Sequence, residues 1–260
     1  PRLVRVRQLL EDEPRPSVDE YLERLPRPYL LGVTPETVAE HYRLVGPALA
    51  GAEVRTAAAP GSREGTYELT VVAADRPGLL AKIAGALALG GLNILSAQAF
   101  TTEDGVAIDV FVVDPGGSEV DEERWRRIRQ TLRKAIEGRV SLDYRLQEQR
   151  RHYAPARGDV PLRVRVLNDV SDFATVVEVE APDRVGLLFD VARAFEELGL
   201  DVHVAKVATY GVRVVDAFYV RDLFGRKVEG DEHAREIERA ILAWLSPSRR
   251  RPDRRSPWPS

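Results

Sequence analysis

The sequence predicts an α+β protein of two similar units, each an antiparallel sheet carrying its helices on one face. Three observations predict it. A shift of 108 residues brings Asp75-Arg76-x-Gly78-Leu79-Leu80 onto Asp183-Arg184-x-Gly186-Leu187-Leu188, and Gly91-Leu92-Asn93-Ile94 onto Gly199-Leu200-Asp201-Val202. Leu69, Val71 and Ala73 alternate with Thr70 and Val72, as Val177, Val179 and Ala181 do with Glu178 and Glu180, the period of a strand with one buried face. Leu79, Leu80, Ile83 and Leu87 recur with the period of a helix, and so do Leu187, Leu188, Val191, Phe195 and Leu198.

Residues 1–60 read as a helical linker segment. Val4 to Leu10 is expected to be a helix end, broken by Pro14 and Pro16. Thr34-Pro35-Glu36 supplies an N-cap, a first-turn proline and a first-turn acid, and Val38, Tyr42 and Val45 then form one apolar stripe. Ala57 to Gly65 reads as a connecting linker. The first unit is expected over 66–148: strand, helix, a Gly-Leu-Asn entry into a second strand, a turn at Gly105, the strand Val106–Val113, the helix Asp121–Glu137 and a closing strand Val140–Leu146. That β-α-β-β-α-β order is the ferredoxin-like arrangement. The second unit, 162–246, repeats the order through a turn at Gly211, the strand Val212–Val220 and the helix Asp231–Leu245. After one net deletion, Asp216-Ala217-Phe218 matches Asp109-Val110-Phe111. No strand follows its last helix, so the run Leu162–Leu167 is expected to fill the missing edge. Residues 247–260, rich in Arg, Pro and Ser, read as a disordered tail.

Composition narrows the function. A net charge of -3 gives no general attraction to nucleic acid or to a membrane surface. No apolar run is long enough to span a bilayer, and no secretory signal opens the chain, so a cytoplasmic location is expected. The absence of cysteine excludes disulfides and cysteine metal sites. The absence of methionine marks the chain as an expected fragment of a longer one. RNA-binding ferredoxin-like modules need aromatics in a basic frame on the third strand. Val106-Ala107-Ile108-Asp109-Val110-Phe111 lacks that frame, so no nucleic-acid partner is expected.

The two turns carry the candidate chemistry. A glycine ahead of a helix lets a ligand approach the backbone, and the first N–H groups of that helix favour an anion. The α-carboxylate of an amino acid suits that place, with its ammonium accepted by Asp75, Asn93 or strand-edge carbonyls. A side-chain amide would then ask for one more donor and acceptor, and such a site would reject the corresponding carboxylate. Candidate ligand-binding residues are Asp75, Arg76, Pro77, Gly78, Leu79, Asn93 and Ile94 in the first unit, and Asp183, Arg184, Gly186, Leu187, Asp201 and Val202 in the second. A plainer reading stands beside this one: the aspartates are helix caps, the glycines satisfy the backbone, and Asn93 and Asp201 are ordinary turn residues. Pro77 against Val185 makes the first turn the more rigid, hence the better candidate. Arg76 and Arg184 are expected to pair with surface carboxylates, His203 to occupy a strand face, and Asp109 and Asp216 to face solvent. Arg124-Trp125-Arg126-Arg127 reads as a solvated helix face.

With Asp-Arg-Pro-Gly-Leu at its first strand-to-helix turn, the arrangement resembles the ACT domain, a regulatory module that commonly binds amino acids. Tyr67 to Ala73, Gly91 to Ala99 and Val176 to Val179 resemble more narrowly the C-terminal tandem ACT region of bacterial bifunctional uridylyltransferase/uridylyl-removing enzymes. Arg24-Leu25-Pro26, Tyr29-Leu30-Leu31 and the Pro35-Glu36 helix resemble the segment preceding that region, so the likeness covers residues 20 to 245. It implies a glutamine-sensing regulatory region whose parent enzyme acts on the PII nitrogen-signalling protein. It implies magnesium for the parent's transferase part and no cofactor here, together with packing of ACT units within or between chains. The family's catalytic motifs are not matched: Gly61-Ser62 has no carboxylate pair after it, and the histidines precede Tyr42, Tyr153, Val204 and Ala234, never Asp. No catalytic residue or metal ligand is therefore expected. The alternative is a stand-alone ACT regulator that binds an amino acid and a protein partner without catalysis.

Overall fold

The computed structural model describes residues 2–46, 53–117, 119–152, 160–210 and 213–246; the Gly211 turn and the tail at 247–260 lie outside them. Four helices come first: α1 (Arg2–Leu9), α2 (Arg15–Arg24), α3 (Arg27–Gly32) and α4 (Pro35–Val45). The Thr34 hydroxyl caps α4, accepting the Thr37 N–H at 3.2 Å. The first unit then runs β1 (Val54–Pro60), β2 (Tyr67–Ala74), α5 (Leu79–Leu89), β3 (Asn93–Thr101), β4 (Val106–Asp114), α6 (Glu122–Ile136) and α7 (Leu142–Arg151). The second runs β5 (Arg163–Leu167), β6 (Thr175–Pro182), α8 (Leu187–Glu197), β7 (Leu200–Tyr210), β8 (Arg213–Asp222) and α9 (Asp231–Leu245).

Two expectations about the first unit fail for one reason. Val54–Pro60, placed across the end of the linker segment and the Ala57–Gly65 connection, is a strand paired along β2 from Val54↔Ala73 to Pro60↔Tyr67. Residues 140–146, read as a closing strand, lead instead into helix α7 from Leu142, which buries Leu142 and Leu146 one turn apart. The edge position beside β2 is already filled by β1, so the chain leaving α6 finds no strand edge to join. In the second unit, β5 pairs with β6 from Arg163↔Glu180 to Leu167↔Val176, filling the edge as the sequence suggested. Both units therefore take their edge strand from the chain ahead of them.

Among the described residues, eight strands form one antiparallel sheet, ordered β1-β2-β4-β3-β7-β8-β6-β5. The joint between the units is β3 against β7, through Ser96↔Lys206, Ala97↔Ala205 and Gln98↔Val204. Ala97 and Ala205 are separated by the repeat shift, so a residue meets its own counterpart there. The bulges repeat too, at Leu95 between Ile94 and Ser96 and at His203 between Val202 and Val204. Helices α5 to α9 pack on one face and share a single core with Leu69, Val71, Phe111, Val177, Val179 and Phe218. Gly85 lets α5 and α8 approach: a Cβ there would stand 2.8 Å from Phe189 Cδ2.

The other face of the first unit is not open. Helices α1 to α4 bury Val6, Leu10, Val18, Leu22, Tyr29 and Val38 against Val72, Phe100 and Ile108 of the sheet. The segment read as a linker is thus a third layer over one unit. On the same face of the second unit, Arg165 pairs with Glu178 at 2.6 Å and the Lys206 ammonium lies over the Tyr219 ring. That polar surface can meet water without a cover. No helix among the described residues is long and apolar enough to cross a membrane.

His41 sits inside the N-terminal layer, hydrogen-bonded through Nδ1 to the Tyr29 hydroxyl at 2.7 Å and through Nε2 to the Thr70 hydroxyl at 3.1 Å. Burial pushes its pKa down to about 4. The unfolded chain takes up this proton below the ordinary value of about 6.5, while the folded chain resists until about 4. The associated stability is present above the upper value and is lost as pH falls through the window, by about 3 kcal/mol in all. We predict a urea midpoint that drops between pH 7 and pH 4.5 in the parent chain and drops clearly less in His41→Gln. Equal slopes in the two chains would refute the assignment.

Candidate ligand site

Gly78 and Gly186 cap α5 and α8 with φ of 75° and 71°, the left-handed region that glycine enters freely. Each turn is closed in the same way: the Leu79 N–H donates to the Arg76 carbonyl at 3.1 Å, and the Leu187 N–H to the Arg184 carbonyl at 3.2 Å. Neither helix has a side-chain cap bond, so the aspartates are not simple caps. Asp75 accepts from the Thr101 hydroxyl at 2.8 Å instead.

The two glycines are covered by different side chains. At Gly186 an added Cβ would stand 2.9 Å from Arg150 Nη2. Arg150 reaches the turn from α7, donating through Nε to the Val185 carbonyl at 2.8 Å and through Nη2 to the Gly186 carbonyl at 3.1 Å. Its guanidinium also lies 3.1 Å from the Asp190 carboxylate, which Arg184 pairs with as well. At Gly78 an added Cβ would collide with the carboxylate of Glu196, from the last turn of α8. The close approach that glycine permits is taken at both turns by a side chain of the protein.

Beside the second turn lies a cavity of about 920 Å³. The second unit contributes Asp183, Arg184, Val185, Gly186, Leu187 and Asp216. The first contributes Asn93, Ile94 and Ala88, and α7 adds Gln149 and Arg150. The structure therefore joins the second unit's turn to the first unit's Gly-Leu-Asn segment. Asp75, Arg76, Pro77, Gly78 and Leu79 do not line this cavity, and neither do Asp201 and Val202. Leu79 and Val202 are buried among the core side chains. The cavity therefore lies at the second turn, whereas the turn with the more rigid Pro77 is covered by Glu196 of the opposite unit.

The cavity is lined mainly by apolar side chains, with a few polar groups set among them. The first turn of α8 has N–H groups without partners inside the helix, and Arg150 adds a cation next to it. Burial pushes the Asp183 carboxyl up from its ordinary range. Gln149 Nε2 donates to the Ala88 carbonyl at 3.3 Å, whereas its Oε1 is buried with no hydrogen-bond partner. Asp109 and Asp216, expected to face solvent, are both buried, at 3% and 1% exposure. Alternation explains this, since Ala107, Phe111 and Val113 put Asp109 on the helix-covered face of β4, as Val214, Phe218 and Val220 do for Asp216. Burial first, then the charges of Asp75 and Asp201, hold the Asp109 carboxyl well above its usual range.

Other placements are mixed. Arg184 pairs with the half-buried Asp190. His203 lies 3.6 Å from Asp201 at the β7 bulge. The Arg124–Arg127 stretch is not wholly solvated: Trp125 is buried, and Arg124 donates to the carbonyls of Gly90 at 3.2 Å and Gly91 at 2.9 Å, closing the end of α5. Sequence reasoning missed Gln149, Arg150, Asp216 and Ala88. Gln149 and Arg150 lie on a helix that had been read in part as a strand, and no spacing marks them. Ala88 carried a usable signal, because the 108-residue shift sets it against Glu196. Among the described residues, no group of three or more His, Asp or Glu is placed to hold a metal ion.

Comparison with known proteins agrees with this architecture. Residues 67–130 match the family described as ACT domain, and residues 164–246 match that described as plant bHLH transcription factor, ACT-like domain. The chain is 36% identical over 239 residues to a bifunctional uridylyltransferase/uridylyl-removing enzyme of Gluconobacter oxydans, covering 90% of this chain and 25% of that enzyme. It is 37% identical over 247 residues to the enzyme of the same name from Rhodospirillum rubrum, covering 91% and 26%. The chain thus spans about a quarter of the length of these relatives, their C-terminal region. Among solved structures, an aspartate kinase from Synechocystis matches 69% of this chain and 26% of its own at 19% identity, with a TM-score of 0.39.

Proposed function

We propose that this chain, two ACT-type units matching the C-terminal quarter of bacterial uridylyltransferase/uridylyl-removing enzymes, is the amino-acid-sensing regulatory region of such an enzyme. The ligand is glutamine, bound in the cavity between the units. Its α-carboxylate sits at the first turn of α8 with Arg150 beside it. Its two nitrogen groups are met by Asp183 and Asp216 and by the Gln149 amide oxygen. That oxygen carries the proposal: a buried acceptor without a donor is costly, and a ligand N–H relieves the cost.

Because the lining comes from both units and from α7, a bound ligand ties together elements that are otherwise held by a three-residue strand joint and helix packing. Differential binding of about 1–3 kcal/mol is enough to bias one arrangement over another. In the parent enzyme this bias would shift the balance between modification of the PII protein and its reversal. Calorimetric titration of the chain with glutamine, glutamate and other amino acids tests the ligand. Glutamine is expected to give saturable heat, and Gln149→Leu is expected to weaken it by about tenfold, the value of one buried hydrogen bond. Absence of heat for every amino acid would end the sensing proposal.

A further inference from the structure

The helices α5 and α8 match residue for residue under the repeat shift, Leu79–Leu89 against Leu187–Glu197. In each unit the last turn of this helix faces the glycine turn of the other. The two last turns differ sharply: Gly85, Ala88 and Leu89 in the first unit stand against Arg193, Glu196 and Glu197 in the second. Ala88 lines the open cavity beside Gly186. Its counterpart Glu196 lies on Gly78, where an added Cβ would strike its carboxylate. Arg193 holds that carboxylate from one helical turn away, at 3.1 Å.

We propose that the Glu196 carboxylate is a tethered occupant of the second, symmetry-related amino-acid site, so that the chain keeps one site open and one plugged. This rests on the reading of the cavity as an amino-acid site. Its chemistry is that of the ligand it replaces: a carboxylate against the leading end of a helix whose capping glycine leaves room for it. The surroundings suit the rest of an amino acid. The repeat sets Asp75, Asp109 and Asp201 against Asp183, Asp216 and Asn93, the polar residues that line the open cavity, so the same polar groups surround this turn. His203 Nε2 lies 3.6 Å from the Asp201 carboxylate beside it. With Glu196 in place, a free carboxylate would have to displace a like charge already bound in the chain.

Two measurements on the full chain decide the matter. The first needs no ligand. Gly78→Ala is expected to lower the urea midpoint in both backgrounds, because the left-handed backbone there strains any side chain, and to lower it less in the Glu196→Ala background, where the obstructing carboxylate is gone. Equal losses in the two backgrounds overturn the proposal, because Glu196 then does not rest on the turn. The second is calorimetry with glutamine: one ligand per chain for the parent and two for Glu196→Ala. A coupled pair of midpoints with unchanged stoichiometry also overturns it, since something other than Glu196 then closes the site. A parent chain that gives no heat refutes the sensing reading instead, and leaves the midpoint comparison to decide whether Glu196 occupies the turn.

Discussion

Replacing Ala88 by glutamate is expected to weaken glutamine binding by at least about a hundredfold, close to 3 kcal/mol. Ala88 lies on the last turn of α5 and lines the cavity from the side opposite the α8 turn. A longer side chain there takes up volume that the ligand needs. Its charge adds to the loss, because a carboxylate in this half-enclosed space opposes the α-carboxylate of an incoming amino acid, and like charges brought together across an interface cost several kcal/mol. Ala88→Gln separates the two contributions, since it fills nearly the same space without charge and should lose less. The urea midpoint of each variant checks that the fold is intact. Ala88→Glu with parent affinity would move the ligand out of this cavity altogether.

The largest expected effect on stability is Phe218→Ala. Phe218 lies on β8 with no exposed surface, and its ring meets that of Phe195 on α8 at 5.0 Å in an edge arrangement. Removing such a side chain leaves a cavity and typically costs about 3–5 kcal/mol, with the aromatic contact included in that range. The sheet and the helix layer run without a break from one unit into the other, so the damage should not stay local. Trp125 reports on this, because it is buried on α6 of the first unit. In a background with Trp244 and Trp258 changed to phenylalanine, Phe218→Ala is expected to shift the urea transition seen at Trp125 together with that seen by circular dichroism. A first unit whose transition does not move would show that the two halves unfold separately.

The repeat made much of this architecture legible. Strands with a clean alternation, such as Leu69-Thr70-Val71, and helices with a full apolar stripe, such as Leu187 to Leu198, declare themselves within a few residues. The glycine turns were legible because a left-handed backbone position has few substitutes for glycine. The edge strand at Val54–Pro60 was not legible. It has a partner on one side only and carries Thr56-Ala57-Ala58-Ala59, small residues that read equally well as a connection. Residues 140–146 failed for the opposite reason: Val140, Leu142, Tyr144 and Leu146 satisfy strand alternation, while Leu142 and Leu146 also satisfy a helix turn, and only the occupied sheet edge settles between them. The site was half legible. Its glycine turns could be read, but the partners of each turn come from the other unit or from α7, and such pairings are fixed by the β3–β7 joint, far from either turn in sequence.

That joint has an evolutionary consequence. Ala97 facing Ala205 is how two identical chains would meet across a twofold axis. In a dimer of separate chains every substitution is made twice, so an improvement in one binding site and a closure of the other cannot be selected independently. Joining the two copies in one polypeptide removes that restriction. Ala88 and Glu196 occupy matching places and have gone different ways. Covalent linkage also keeps the halves together at any dilution, so the response of the pair to its ligand need not depend on how much of the protein is present.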